Sequence, residues 1–295
     1  AGRAVLEADT QSDVRTAAGF TATGSSLVTA TDAAAARTAI GTYSVTDTDI
    51  MFAVELLCAR MTVRPSRARQ ALITTLITSL MSAGIWNKLD GLYLLAAHDA
   101  QVAKLNWVGR MQDLTAVNGP TFQIDRGFTG DGATSYLDTN TPTNTLEKYL
   151  QDDAAMGVYV RTTGTCNHDI SAGSNAFITT NNGSHDMVYR ANGGESPGGS
   201  YTTLANGGNY TGLFAWSADV SNVAIYIDGS VVDTRARTST TLASTNAMLL
   251  RDAAGSSWSS HQLAAAFFGA GLTPTEQATL NTVLTTFLTA IGANA

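Results

Sequence analysis

Cleaving a glycosidic bond takes two carboxylates facing each other across it, commonly two glutamates close together on one strand. This chain of 295 residues has five glutamates, Glu7, Glu55, Glu147, Glu195 and Glu276, and none lies within five residues of another. Asp125 with Asp131, and Asp228 with Asp233, are nearer neighbours. They sit in turn-like contexts, where Asp is favoured because it bonds its own backbone. Serine chemistry has one candidate, GSSWSSH (255–261), which lacks the Gly-x-Ser-x-Gly elbow and reads as a loop. The histidines His98, His168, His185 and His261 show no metal-ligand spacing, although His-Asp recurs at 168–169 and 185–186. Cys58 and Cys166 are the only cysteines and read as free thiols. These residues point away from an enzyme.

Composition narrows the class further. Only 14% of residues are charged, against roughly 25% in an average soluble protein. Ser, Thr, Asn and Gly fill the gap, which suits extended β-structure in an extracellular or particle-bound protein. A net charge of −7 and the absence of any basic run argue against a nucleic-acid partner. No apolar run reaches the roughly 18 residues of a membrane span, so membrane insertion is not expected.

The elements that would position a site fall in three segments. Residues 1–45 hold a repeat with a period of 22: Arg15-Thr16-Ala17 matches Arg37-Thr38-Ala39, and Gly19 matches Gly41. Each unit reads as a short helix stopped by Gly, too small to bury much area without a neighbour or another chain. Residues 46–119 read as a helical connector. Thr46 and Asp49 form a capping box, Pro65 breaks the apolar periodicity, Ser66 caps a second helix and Gly84 ends it. The apolar LDGLYLLAA (89–97) is a candidate buried strand, with a helix as the alternative. From 120 onward the pattern becomes β, with short alternating runs at 121–139, 156–163, 176–180, 186–191, 211–218, 247–252 and 262–270. VAIYIDGSVVDTRA (223–236) is a hairpin turning on Asp228-Gly229, and its two-residue turn sets Ile227 opposite Ser230 and Ile225 opposite Val232. GGESPGG (193–199) reads as a loop. Thr273, Pro274 and Glu276 open a final amphipathic helix that Gly292 ends. The fold class is therefore mainly β, an antiparallel sandwich at 120–295 with a C-terminal helix.

Three stretches, in order along the chain, resemble concanavalin A-like or laminin-G-like jelly rolls: RGFTGDGATSYLDTN (126–140), VAIYIDGSVV (223–232) and LAAAFFGAGLTPTEQATLNTVLTTF (263–287). The repeat units GRAVLEADTQSDVRTAAG (2–19) and TATDAAAARTAIG (29–41) resemble segments of bacteriophage fibre and spike proteins. So does LITSLMSAGIWNKLDGLYLLAAHDAQVAKLNW (76–107). The resemblance implies a virion surface protein, assembled in the bacterial cytoplasm and attached to other virion proteins through residues 1–45. It implies a homo-oligomer, a trimer, whose jelly-roll head is a receptor-binding module for host surface polysaccharide. A purely structural capsid or tail decoration without a glycan site is the alternative, and a polysaccharide-cleaving enzyme is a third.

Sugar sites combine aromatic platforms with Asn, Asp and His. The loop residues of those types are Asn167, His168, Asp169, His185, Asp186, Tyr201, Asn209, Tyr210 and Trp258. The plainer reading of each is a turn hydrogen bond or a packing contact. Trp86, Trp107 and Trp216 sit in apolar runs and read as structural. Laminin-G-like domains often hold Ca²⁺ through Asp, for which Asp131, Asp138 or Asp169 would serve, though no EF-type loop supports it. No other cofactor is implied.

Overall fold

A computed structural model describes residues 46–164, 168–181, 186–195, 202–205 and 210–294. By its contacts, the part from residue 50 onward forms one compact unit. The N-terminal repeat lies outside the described residues.

Two helices come first. In α1 (Asp47–Ala59), the Thr46 amide donates to Asp49 Oδ2 at 2.9 Å and the Asp49 amide to Thr46 Oγ1 at 3.2 Å, as the capping box requires. In α2 (Arg67–Ser82), the Ser66 hydroxyl accepts from the Arg69 amide, and Gly84 leaves the helix at φ 73°. The buried stripe of α2 is Ile73, Leu76, Ile77 and Leu80.

The described strands form two antiparallel sheets, so the expected sandwich is the observed fold. The larger holds β1 (Leu89–Tyr93), β3 (Thr121–Gln123), β4 (Gly127–Thr129), β6 (Ala154–Thr162), β10 (Gly193–Glu195), β12 (Gly212–Ala218), β13 (Asn222–Ile227), β14 (Ser230–Ser239) and β16 (Gln262–Gly269). The smaller runs β11 (Thr202–Ala205), β9 (Asp186–Ala191), β8 (Ala176–Thr179), β7 (Ile170–Ala172), β15 (Asn246–Leu249), β5 (Tyr136–Pro142), β2 (Thr115–Val117).

Strand β16 organises the larger sheet. All eight of its residues are buried. It pairs with β6 along one side, and with β4 and then β1 along the other. Its rings need room, which glycines in register supply. Phe267 pairs with Gly157 and Phe268 with Gly91, and a Cβ on either glycine would lie within 2.6 Å of the facing ring. The apolar run at 89–97 thus contributes a strand to the sandwich itself, although it precedes residue 120.

The 223–236 hairpin forms with Asp228 at φ 50° and Gly229 at φ 77°, the left-handed pair of a type I′ turn. Ile227 faces Ser230 as expected. The expected Ile225–Val232 pair does not form: a bulge makes Val232 the extra residue, Ile225 faces Asp233, and Val231 and Val232 are exposed. The loop expected at 193–199 is in part an edge strand, since β10 pairs with Arg237–Ser239.

Helix α3 (Pro274–Ala290) closes the structure. Thr273 and Glu276 make the expected capping box with Pro274 behind them. Its Phe287 ring stands edge-on to Trp107, with centroids 5.9 Å apart, and Arg69 of α2 lies 6.0 Å over the same ring. Its Asn281 amide donates to the Asp228 carbonyl at 2.9 Å, fastening the hairpin turn.

That fastening generates a prediction. A Cβ on Gly229 would meet Ala278 Cα and Asn281 Cβ at 2.9 Å, in a backbone conformation that already disfavours side chains. Gly229→Ala should destabilise the fold by about 2 kcal/mol in chemical denaturation. Gly84→Ala, with a similar φ but open space around it, should lose only about half as much. Equal losses would mean the hairpin–helix contact carries no weight.

Candidate functional site

The outer face of the smaller sheet carries the site. Along β8, Ala176 and Ile178 turn into the main core while Phe177 and Thr179 point the other way. Val188 of β9 does the same between the core residues Met187 and Tyr189. Phe177 and Val188 are buried but lie outside the main core cluster. They form the apolar floor of a cleft of about 500 Å³. Its walls are His168 on one side, Gly173 and Ser174 on another, and the turn 252–257 above, which contributes Asp252, Ala253, Ala254, Ser256 and Ser257.

The turn is built by one carboxylate. Asp252 Oδ1 accepts from the Ser256 amide at 2.8 Å and the Ser257 amide at 3.0 Å, and Oδ2 accepts from the Ser256 hydroxyl at 2.7 Å. Burial works to raise the Asp252 carboxyl, but these donations and the neighbouring His168 imidazole hold it below the usual range, so it is ionised. Arg251 stacks 4.1 Å over Tyr136 and donates to the Asp252 carbonyl at 2.8 Å, bracing the turn.

His168 is packed edge-on to Phe177, with ring centroids 4.6 Å apart. Burial pushes its imidazole below the ordinary 6.5, against the opposing pull of Asp252 and Asp169. It is neutral at pH 7, and its Nδ1 is buried without a hydrogen-bond partner among the described residues.

Behind His168 lies a fully buried polar knot. Asp169 Oδ2 accepts from the Thr180 amide at 3.0 Å and hydroxyl at 2.8 Å, while Oδ1 accepts from Ser259 Oγ at 3.0 Å and lies 3.0 Å from His261 Nδ1. Neither Asp169 nor His261 exposes any side-chain surface. His261 Nε2 reaches the Gly164 carbonyl at 3.3 Å. Burial acts to lower the His261 imidazole, yet the Asp169 charge, its hydrogen bond and the Gly164 carbonyl together raise it above 6.5. Ser, His and Asp meet here without forming a nucleophilic relay. The Ser259 hydroxyl donates to the carboxylate, not to the imidazole, and all three are sealed from solvent.

Of the residues expected to bind sugar, His168 lines the cleft. Asp169 is out of reach and serves structure instead, which corrects its placement as a ligand contact. Trp258 follows the lining Ser257 and forms a bridge with Arg251, its Nε1 buried without a partner among the described residues. Tyr210 is half-buried and does not line the cleft. Asn167, His185, Tyr201 and Asn209 lie outside the described residues, as does the side chain of Asp186. Phe177, Thr179, Val188 and Asp252 were not foreseen. Their strand and turn patterns are visible in the sequence, but which face of β8 and β9 lies outward is not.

The aspartates considered for Ca²⁺ accept hydrogen bonds from the protein itself. Asp131 Oδ1 accepts from the amides of Ala133, Thr134 and Ser135, and those bonds hold its carboxyl far below the usual range. Asp138 Oδ1 accepts from the Asn140 amide and from Asn246 Nδ2. Among the described residues no cluster of three or more His, Cys, Asp or Glu forms. Trp86, Trp107 and Trp216 are buried, as expected.

No protein-family model and no curated protein matches the chain. Solved structures overlap it loosely. A mutant Trypanosoma rangeli sialidase displaying trans-sialidase activity superposes with a TM-score of 0.46 at 12% identity, over 76% of this chain and 40% of that one. The binding domain of Paraclostridial Mosquitocidal Protein 1 gives 0.42 at 10% identity, over 65% and 52%. The botulinum neurotoxin serotype D binding domain gives 0.43 at 7% identity, over 68% and 52%. The chain thus spans about half the length of these proteins or less. Superpositions this loose bear on neither ancestry nor activity.

The two adjacent histidine environments set opposite pH responses. His261 has a raised folded-state value, so its pairing stabilises the fold fully below about 6.5 and is lost as pH rises through the folded value. The stability difference between wild type and His261→Gln should therefore be largest in mild acid and shrink toward pH 9. A difference independent of pH would show that the buried pair is not ionic. His168, with its lowered value, opposes this by destabilising the fold as pH falls.

Proposed function

We propose that this chain is a surface component of a phage-like particle that binds host cell-surface polysaccharide without cleaving it. The cleft on the outer face of the smaller sheet carries the reading. It combines an apolar floor at Phe177 and Val188 with hydroxyls at Ser174, Thr179, Ser256 and Ser257 and the His168 ring. A sugar ring has the complementary surfaces: a C–H face for the aromatic edge and hydroxyls that both donate and accept. The volume falls within the roughly 300–1,000 Å³ of small-ligand sites.

The particle context rests on the resemblance of 2–19, 29–41 and 76–107 to phage fibre and spike segments. Its homotrimeric state, its contact with other virion proteins through residues 1–45 and its place on the virion surface are parts of the same proposal. Helix α1, which follows that segment, exposes Met51 and Phe52 by 60% and 64%, an apolar surface suited to assembly. The non-enzymatic part is favoured by the glutamates. Glu147 is exposed, and Glu276 is held by its capping box and by Lys88 at 2.8 Å.

Calorimetric titration with surface polysaccharide from candidate host bacteria tests the reading. Saturable heat is expected with one of them, and His168→Ala should weaken it by about tenfold or more. Steady release of reducing ends during the titration would replace the binding module with an enzyme. Absence of heat from every polysaccharide would favour a purely structural decoration protein.

A further inference from the structure

We propose that Arg126 and Arg161 form an oxyanion-binding site on the larger sheet, separate from the cleft, that takes a carboxylate or phosphate group. Arg161 belongs to β6 and Arg126 to the turn between β3 and β4, and neither lines the cleft. Their placement is built into the strands. Where β16 pairs with β6, Gln262 faces Thr162 and Leu263 faces Val160, so Arg161 is the extra residue of a bulge, a device that re-aims a side chain. The turn carrying Arg126 is pinned at three points. The Asp125 amide donates to the Ala97 carbonyl at 2.8 Å, the Asp125 carboxylate accepts from Arg69 Nη2 at 2.8 Å, and the Arg126 amide donates to the Gln123 carbonyl at 3.0 Å.

The two cations stand together without a counter-charge. Burial disfavours the charged form of Arg161, and the Arg126 charge beside it disfavours that form further. Asp125, next to Arg126 in the chain, is held by Arg69. Among the described residues no Asp or Glu pairs with either guanidinium, whereas Arg60, Arg69 and Arg235 each meet a carboxylate. The Arg161 guanidinium makes one hydrogen bond to described residues, from Nη1 to Gln262 Oε1 at 2.7 Å. That of Arg126 makes one, from Nη1 to the Asp125 carbonyl at 2.9 Å. Nη2 of each donates to no described residue.

The polar residues around the pair turn their acceptors inward. Gln262, only 5% exposed, spends its oxygen on Arg161 and its amide nitrogen on Gln123 Oε1 at 3.3 Å and Thr129 Oγ1 at 3.1 Å. Gln123 is exposed, and its Nε2 donor is uncommitted among the described residues. What remains on offer is two guanidiniums and an amide N–H, a set of donors. Carboxylate and phosphate oxygens accept such donors in charge-assisted, often bidentate bonds, and their charge relieves the repulsion between the arginines.

The test is thermal unfolding of the full chain at constant ionic strength, with inorganic phosphate or glucuronate replacing chloride. Tm should rise saturably with at least one of the two anions. A rise with phosphate alone assigns the site to phosphate groups, and a rise with glucuronate alone assigns it to sugar carboxylates. Arg126→Gln should unfold no earlier than wild type in chloride, because it removes a like charge, yet its apparent affinity for the anion should fall by about tenfold or more. Arg161→Gln should lose the response likewise, and His168→Ala should keep it. No rise beyond chloride with either anion would overturn the proposal, as would an equal rise in wild type and Arg126→Gln. A response lost in His168→Ala but kept in Arg126→Gln would assign it to the cleft and overturn the proposal as well.

Discussion

A buried Asp169–His261 contact between the two sheets fixes the end of the sandwich where the cleft lies. Asp169 precedes the small-sheet strand β7, and His261 immediately precedes β16 at the centre of the larger sheet. Removing such polar groups from water is unfavourable, and only dense hydrogen bonding offsets it. The chain provides that density. Thr180 donates twice to the carboxylate, Ser259 once, and the Gly164 carbonyl receives the far side of the imidazole. Backbone bonds then propagate the constraint, since the Asp169 amide donates to Ile178 and the Asp169 carbonyl accepts from Leu250. His168 and the turn 252–257 are thereby held on either side of the cleft.

The same end shows how one sandwich divides polar residues between structure and surface. Asp169 and His261 are sealed, whereas His168, next to Asp169 in the chain, lines the cleft. Adjacent residues of a strand or its approach point to opposite faces. Alternation places the ionic member inside, where its partners await, and the neutral one outside. Asp252 repeats the theme. Its carboxylate builds the turn through Ser256 and Ser257, and as a result gives the cleft its negative wall.

Elsewhere the larger sheet depends on close approach. β16 takes neighbours along both edges and is buried throughout, so its two phenylalanines fit only over glycines in register on β6 and β1. Helices α2 and α3 complete the packing through Phe287, which meets Trp107 and Arg69. These contacts explain why a strand at 89–93 belongs to a sheet whose remaining strands begin thirty residues later.

Local chemistry determined much of this from the sequence. Both capping boxes, the Ser66 cap, the Asp228-Gly229 turn and most long strands follow from short-range rules that need no partner. The unforeseen strands were β2, β7, β10 and β11, each of three or four residues, where pairing with a distant neighbour and not composition sets the conformation. The bulge that expels Val232 was likewise invisible, because register is a property of two strands and their neighbours. For the site, residue types alone singled out His168 but put Asp169 beside it as an equal, and overlooked Phe177, Val188 and Asp252. Only the tertiary structure decides which face of a strand meets the core and which carboxylate finds a buried imidazole 92 residues away.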